Sequence, residues 1–378
     1  MNDSQWTNTD RLFMAGALKL ARRGLGRVEP NPAVGAVLVR NDKIIGRGYH
    51  RFFGAPHAEV TALRDAKAKG HSAKGATLYV TLEPCCHWGK TPPCTDTVIA
   101  AGIKKVIAAT LDPSKKVAGK GVDALKKAGI EVQVGILADE AKKLNKWFFK
   151  FHQKHHPWII CKWAQTLDGK LAARSGHSKW ISSDSSRREA HKIRHSCQAI
   201  IVGVETVLAD DPQLTARLKN VSQLPAGPPN RVVLDTKLRT PVSSQLVQTA
   251  NKIPTWIFTS CLAGKARTEV FKNKGVKIII LPIGKNGLID IKSFLKFAAR
   301  QGWARIMVEG GAKLLSSFIL SKLADELVLF QSSALALDDQ AVQFRGQTTF
   351  QVNNFLKRYK FHSVSKAGGD LILRLLVT

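Results

Sequence analysis

Thr81-Leu82-Glu83-Pro84-Cys85-Cys86-His87-Trp88-Gly89-Lys90-Thr91-Pro92-Pro93-Cys94, taken with His57-Ala58-Glu59 upstream, is the stretch from which the rest of the chain is read. Zinc accepts imidazole nitrogen and thiolate sulfur at tetrahedral positions, and a catalytic site leaves the fourth position to water. His57, Cys85 and Cys94 supply three such ligands, with Cys86 and His87 as rival donors beside them. If the preceding strand persists, Cys86 points away from Cys85, which leaves it out. The span from Cys85 to Cys94 needs a loop that doubles back, and Gly89, Pro92 and Pro93 are turn residues suited to it. Glu59, two residues after the histidine at the start of a helix, can sit beside the metal without ligating it. Bound zinc lowers the pKa of water towards about 7. Glu59 can take that water's proton and deliver it to a ring nitrogen and a departing amine. Helix N-termini at His57 and Cys94 favour ionised thiolates.

Outward from this stretch, helical and strand patterns alternate. Apolar spacing predicts helices over 11–23, 58–68, 96–101 and 121–128. Strands are predicted over 34–39, 43–49, 76–82, 105–110 and 130–134, the first two joined by a turn at Asn41-Asp42. Such alternation indicates an α/β layer around a largely buried sheet. The pattern breaks over 145–158, where Phe148, Phe149 and Phe151 mix with His152, His155 and His156, and a domain boundary is placed near residue 150. A second α/β domain follows, with about seven strands: 158–164, 199–204, 231–235, 255–259, 277–281, 305–309 and 326–330. Within it, Arg305-Ile306-Met307-Val308-Glu309 runs into Gly310-Gly311 and a helix from Ala312. A strand, a glycine turn and a helix N-terminus can cradle a dinucleotide pyrophosphate, although this is not the Gly-x-Gly-x-x-Gly fingerprint.

The chain has 378 residues, 58 of them basic and 28 acidic, for a net charge of +30. The excess is shared in proportion to length between 1–150 and 151–378, whereas a nucleic-acid module concentrates it on one face. That evenness favours small anionic ligands over a nucleic acid. No apolar run reaches the roughly 18 residues of a membrane span, and the N-terminus, with Asp3 and Asp10, lacks the basic region of a secretory signal. Six cysteines, three of them within ten residues, read as a metal site in a reducing compartment, not a disulfide scaffold. A cytoplasmic location without membrane attachment is expected.

The motifs Pro30-Asn31-Pro32-Ala33-Val34-Gly35, His57-Ala58-Glu59-Val60 and Thr81 to Cys94 resemble the deaminase half of the bifunctional riboflavin-biosynthesis family, RibD. The long insertion between the cysteines separates that family from tRNA and free-nucleoside deaminases. The reductase half is matched by Thr166-Leu167-Asp168-Gly169-Lys170, by Ser178-Lys179-Trp180-Ile181 and by Gly203 to Arg217, so the resemblance covers nearly the whole chain in the family's order. It implies a cytidine-deaminase-like three-layer domain (1–150, zinc-dependent pyrimidine deaminase) followed by a dihydrofolate-reductase-like α/β domain (151–378, NADPH-dependent reductase).

By the same resemblance His57, Cys85 and Cys94 hold one zinc per chain, Glu59 is the proton shuttle and Asn31 lies near the substrate. Cys86 stands where the family commonly has Ser. Ala164, Trp180, Thr206, Asp210, Thr236 and the turn and helix start Gly311, Ala312, Lys313, Leu314, Leu315, Ser316 and Ser317 line the NADPH site. Thr236 keeps the hydroxyl of the Ser that is frequent there. Ser178, Arg194, Leu214, Arg217 and Glu309 face the substrate, and the forked donors of two arginines match a phosphate monoester. The segment 331–350 fits the family pattern least.

The implied activity is hydrolytic deamination of 2,5-diamino-6-(5-phosphoribosylamino)pyrimidin-4-one, then reduction of the ribose by NADPH, in a homo-oligomer that binds no nucleic acid. Two alternatives stand beside it. A deaminase with a degenerate, non-reducing second domain would lose NADPH binding, and a nucleic-acid deaminase predicts Cys-x-x-Cys and clustered charge.

Overall fold

In the computed structural model, which describes residues 6–175, 181–218, 227–344 and 359–377, the chain divides into two compact units, Met1–His155 and His156–Thr378. The first runs α1 (Asn8–Ala21), β1 (Gly35–Arg40), β2 (Lys43–Tyr49), α2 (Ala58–Ala68), β3 (Thr77–Val80), α3 (Cys94–Ala100), β4 (Lys105–Ala108), α4 (Lys120–Lys127), β5 (Glu131–Val134), α5 (Ala138–Leu144) and α6 (Lys146–Lys154). Its sheet has the order β2-β1-β3-β4-β5, with β3, β4 and β5 parallel and β1 antiparallel to both neighbours. Alternate residues along each strand feed two cores. Leu38, Leu78, Val80 and Val106 pack under α2, α3 and α4, while Val37, Val39, Tyr79 and Ile107 pack under α1 and α5. This is a three-layer arrangement.

Small residues bring α2 unusually close to the sheet. A Cβ on Gly48 would fall 2.3 Å from Ala58 O, and one on Gly46 would fall 2.4 Å from Ala62 O. Ala58, Ala62 and Ala66 complete the contact from the helix side, fully buried. The N-terminus of α2, with His57 and Glu59, is thereby seated on the sheet.

The aromatic and histidine stretch that interrupts the sequence pattern folds as α6. Trp147, Phe148 and Phe149 are buried, and His155, in the left-handed region at φ 52, ends the helix. The boundary expected at 150 falls inside it.

The second unit runs β6 (Trp158–Gln165), α7 (Asp184–His195), β7 (Ala199–Gly203), α8 (Val204–Asp210), β8 (Asn230–Leu234), α9 (Gln245–Gln248), β9 (Thr255–Thr259), α10 (Lys265–Asn273), β10 (Lys277–Ile280), α11 (Ile291–Arg300), β11 (Arg305–Glu309), α12 (Ala312–Leu320), β12 (Glu326–Gln331), β13 (Lys360–Ala367) and β14 (Asp370–Leu376). The strand order is β10-β9-β8-β7-β11-β6-β12-β14-β13. Pairing is parallel from β10 to β12 and antiparallel for β14 and β13. The terminal hairpin β13–β14 exceeds the seven strands expected. β13 is almost wholly exposed along its length, so it carries no buried apolar face to read in the sequence.

Because β11 lies between β6 and β7, the direction of winding reverses there. In an open parallel sheet, the carboxyl ends of the strands at such a reversal form the ligand crevice. Arg231, near the amino end of β8, lies at the opposite end of the sheet from that crevice. The residue is 1% exposed, and its guanidinium is satisfied by neutral oxygens. It donates to Gln213 O, Leu246 O, Ile253 O and the hydroxyls of Thr249 and Thr255. Burial lowers it to about 10. The 211–214 loop is thus fastened to the sheet.

No helix among the described residues is long and apolar enough to cross a membrane.

Candidate active sites

Two helix starts and one strand end converge in the first unit. His57 is the extended residue capping α2 (φ −69, ψ 170), Cys94 opens α3, and Cys85 follows β3 by a short loop. His57 Nδ1 lies 3.2 Å from Cys94 Sγ and 3.5 Å from Cys85 Sγ. The three donor atoms all fall within 4.8 Å of one another. The Cys94 amide donates to Cys85 Sγ at 3.4 Å, and hydrogen bonds from Cys94 and His57 pull the Cys85 thiol down to about 4 against its burial. An imidazole nitrogen and two sulfurs meeting at one point, one sulfur disposed to ionise, is a donor set that fits zinc.

Glu59 is 3% exposed, and its Oε2 has no hydrogen-bond partner. Burial raises its carboxyl to about 7. A buried carboxyl beside the donor cluster, with an unpartnered oxygen, has the chemistry of a proton carrier.

Cys86 stays outside the cluster, as expected, for a different reason. The strand ends at Val80, so alternation does not apply, and Cys86 Sγ faces Lys116 O at 4.0 Å.

Two contributors to this site were missed in the sequence. Asn31 reaches it through His50: Asn31 Nδ2 and His50 Nε2 are 3.3 Å apart, and the His50 ring stands edge-on to His57 with centroids 5.1 Å apart. Burial, then the neighbouring His57, lowers His50 to about 4, leaving it neutral. Its signal was its place at the end of a strand, seven residues before the ligand histidine. Glu83, next but one to Cys85, is 3% exposed. It accepts four backbone N–H groups, from Asp112, Gly119, Gly121 and Val122, at 2.9–3.1 Å. Those partners lie some thirty residues on and leave no local trace.

In the second unit, Ala164 (β6), Thr206 (just past β7), Thr236 (just past β8) and Glu309-Gly310-Gly311 (β11) gather at the carboxyl ends of neighbouring parallel strands. Ser178 and Trp180 lie outside the described residues. Asp210 closes α8, and Leu214, buried with φ 49, and Arg217 follow it. Gly310 has φ +79, and a Cβ there would fall 2.5 Å from Thr206 Oγ1; the Gly311 amide donates to that oxygen at 3.0 Å. The turn therefore presents bare backbone beneath the open amides of α12, a cradle suited to a cofactor phosphate.

Arg194 is paired with Glu309, both of them residues expected to face the substrate. Its Nε and Nη2 clasp Glu309 Oε1 and Oε2 at 2.6 and 2.5 Å, and Nη1 donates to Thr215 O at 3.0 Å. Two arms of its fork thus meet a carboxylate in this structure. Burial pushes Glu309 up, but the Arg194 charge and hydrogen bonds overcome it and hold it at about 2. Lys162, opposite Glu309 on β6, is lowered by burial. His191 is lowered to about 4 by burial, Arg194 and Arg217. Arg217 is exposed, and its Nη1 is held by Gln213 Oε1 and Thr215 Oγ1.

Two family models match the chain: the cytidine and deoxycytidylate deaminase zinc-binding region over residues 7–110, and the RibD C-terminal domain over 157–373. The riboflavin biosynthesis protein RibD of Aquifex aeolicus is 43% identical over 364 residues, which are 96% of this chain and 97% of that one. The chain belongs to the RibD family. The RibD of Escherichia coli K12 is 38% identical, with 97% and 99% covered. Among solved structures, Acinetobacter baumannii RibD is similar with a TM-score of 0.83 at 37% identity, covering 98% of this chain and 99% of that one. A Thermotoga maritima diaminohydroxyphosphoribosylaminopyrimidine deaminase/5-amino-6-(5-phosphoribosylamino)uracil reductase follows at 0.78 and 36%, with the same coverage.

As a RibD protein the chain is a bifunctional enzyme of riboflavin biosynthesis, a zinc-dependent deaminase joined to an NADPH-dependent reductase. The fold class expected from sequence is the one found. For its reductase site, Gly310→Ala is expected to raise the KM for NADPH about tenfold while deamination is unchanged. Left-handed strain alone costs a non-glycine residue about 1–2 kcal/mol, and the methyl group must also displace Thr206. Steady-state kinetics with each substrate varied in turn checks this.

Proposed function

We infer that Met1–His155 hydrolyses the C2 amine of 2,5-diamino-6-(5-phosphoribosylamino)pyrimidin-4-one, releasing ammonia. His156–Thr378 then reduces the deaminated product at C1′ of its ribose to the ribitylamino compound. The observation that carries this reading is the convergence of His57, Cys85 and Cys94 with Glu59 buried beside them.

Zinc held by those three side chains supplies the Lewis acidity that makes water nucleophilic near neutral pH. Glu59 would pass the attacking water's first proton to the ring nitrogen, and then the second, from the added hydroxyl, to the departing amine. Asn31, braced by His50, orients the pyrimidine. In the second unit, NADPH supplies the hydride. The turn and helix start from Gly311 to Ser317 would hold its phosphates, and Ala164, Thr206, Asp210 and Thr236 would line the rest of its site. Glu309, kept ionised by Arg194, offers acceptor oxygens to the hydroxyls of the opened sugar. Lys162 and Arg217 give the crevice the positive potential that a phosphate monoester needs.

A homo-oligomer is supported by β13, an edge strand with Phe361 and Val364 exposed, since open edges favour pairing with another chain. The cytoplasm is supported by six free thiols. The evenly spread charge speaks against a nucleic-acid partner.

Chelation tests the core of this reading. Stripping the protein of its one zinc per chain is expected to end ammonia release and leave NADPH oxidation on 5-amino-6-(5-phosphoribosylamino)uracil at its original rate. Added zinc should restore the first activity. A chelated, metal-free protein that still releases ammonia would overturn it.

A further inference from the structure

Asn145 stands between α5 and α6, where the sequence pattern breaks, and none of the deaminase motifs includes it. Its side chain is 1% exposed and pairs head to tail with one peptide unit: Oδ1 accepts from Ala33 N and Nδ2 donates to Ala33 O, both at 2.8 Å. Ala33 lies two residues after Asn31, in a segment poor in hydrogen bonds of its own. Pro30 and Pro32 have no N–H to give. The Asn31 amide bonds locally to Val28 O, and Ala33 ties the segment's backbone to the α5–α6 junction.

The anchor is rigid. The Asn145 amide closes α5 on Ala141 O and Lys142 O, and its carbonyl accepts from Phe148 and Phe149 at the start of α6. Trp147, Phe148 and Phe149 hold α6 in the core. From Ala33 the consequences run directly to the site. The next residue, Val34, accepts the His50 amide at 2.9 Å, and the His50 ring meets Asn31. Fixing Ala33 thus fixes both ends of the Asn31–His50 contact beside His57.

We propose that Asn145 is a positioning residue of the deaminase step, holding Asn31 in register with His50, beside His57, by its paired amide bonds to Ala33. The proposal rests on the reading that Asn31 meets the substrate. Displacement of a binding group by about 1 Å can cost up to about a hundredfold in rate or affinity, and the effect here belongs in substrate binding.

The test uses the zinc-loaded full chain, with Asn145→Ala, Asn31→Ala and the double variant. Asn145→Ala is expected to keep its zinc and its NADPH oxidation, and to lose ten- to a hundredfold in deaminase kcat/KM, carried by KM. If Asn145 acts through Asn31, the double variant falls no more than about twofold below Asn31→Ala alone, because coupled sites are not additive. A double variant that loses the product of the two single effects overturns the proposal and leaves Asn31 in the site. A fall of kcat and zinc content together in Asn145→Ala also overturns it, as general loosening. A silent Asn31→Ala removes Asn31 from the substrate site, and the proposal with it. Should Asn145→Ala fail to fold, Asn145→Ser, which keeps a group able to meet one Ala33 bond, is measured in the same cycle.

Discussion

Glu59→Gln is expected to stop ammonia release and leave NADPH oxidation on the deaminated product untouched. Glutamine has the shape of glutamate and can keep its contact with Cys94, so the packing around α2 survives. It cannot take up or give back a proton. A positioned acid or base contributes roughly 10²–10⁴ in rate. Because Glu59 serves both the attack and the departure of the amine, a loss of at least about a thousandfold in kcat is expected. Zinc content should stay at one per chain, since the three donor atoms belong to His57, Cys85 and Cys94. An ammonia assay, a metal determination and an NADPH assay on one preparation separate the outcomes. Loss of zinc alongside activity would make Glu59 a ligand or a structural group, and loss of both activities would deny that the chain holds two independent sites.

The legibility of this site follows from distance along the chain. The ligands could be read because zinc chemistry constrains residue type, and because His57 and Cys94 sit at helix starts while Cys85 lies in the loop after β3. Helices and strands were legible wherever one face was buried, as over 43–49 and 58–68, whose bounds match β2 and α2. α6 was not, because its buried aromatics are consecutive and its histidines obscure the period.

Contacts that join remote residues left no such trace. Asn145 meets Ala33 across 112 positions and Arg194 meets Glu309 across 115. For Arg194 the chemistry of the fork was legible, and its pairing with Glu309 was not. Carboxylate and phosphate present the same paired oxygens, and only the fold shows which one lies in reach.

That partner makes Arg194→Met the sharpest test of the second unit. Its side chain is 15% exposed and that of Glu309 9%, so removing the guanidinium strands a buried negative charge. Breaking such a pair from one side costs about 3–5 kcal/mol, whereas replacing both partners by uncharged groups of similar size is often neutral. Arg194→Met should therefore lower the unfolding temperature of the second unit steeply and abolish reduction, while ammonia release persists. Arg194→Met with Glu309→Gln should regain most of the stability and none of the reductase activity.

Acid gives the sign. In the wild-type protein Glu309 is depressed from 4.5 to about 2. Its contribution to stability is thus complete above the unfolded value and is lost as pH falls through about 2. Without Arg194 the largest counterweight to burial is gone, and although Lys162 and His191 still oppose it Glu309 moves upward, so the variant is relieved when that carboxyl takes a proton. The stability gap between the two proteins is expected to be widest near neutrality and to narrow as the pH falls towards about 4. Urea unfolding followed at several pH values measures it. A gap that stays constant over that range would mean that Arg194 stabilises the unit by packing, with no part played by the charge on Glu309.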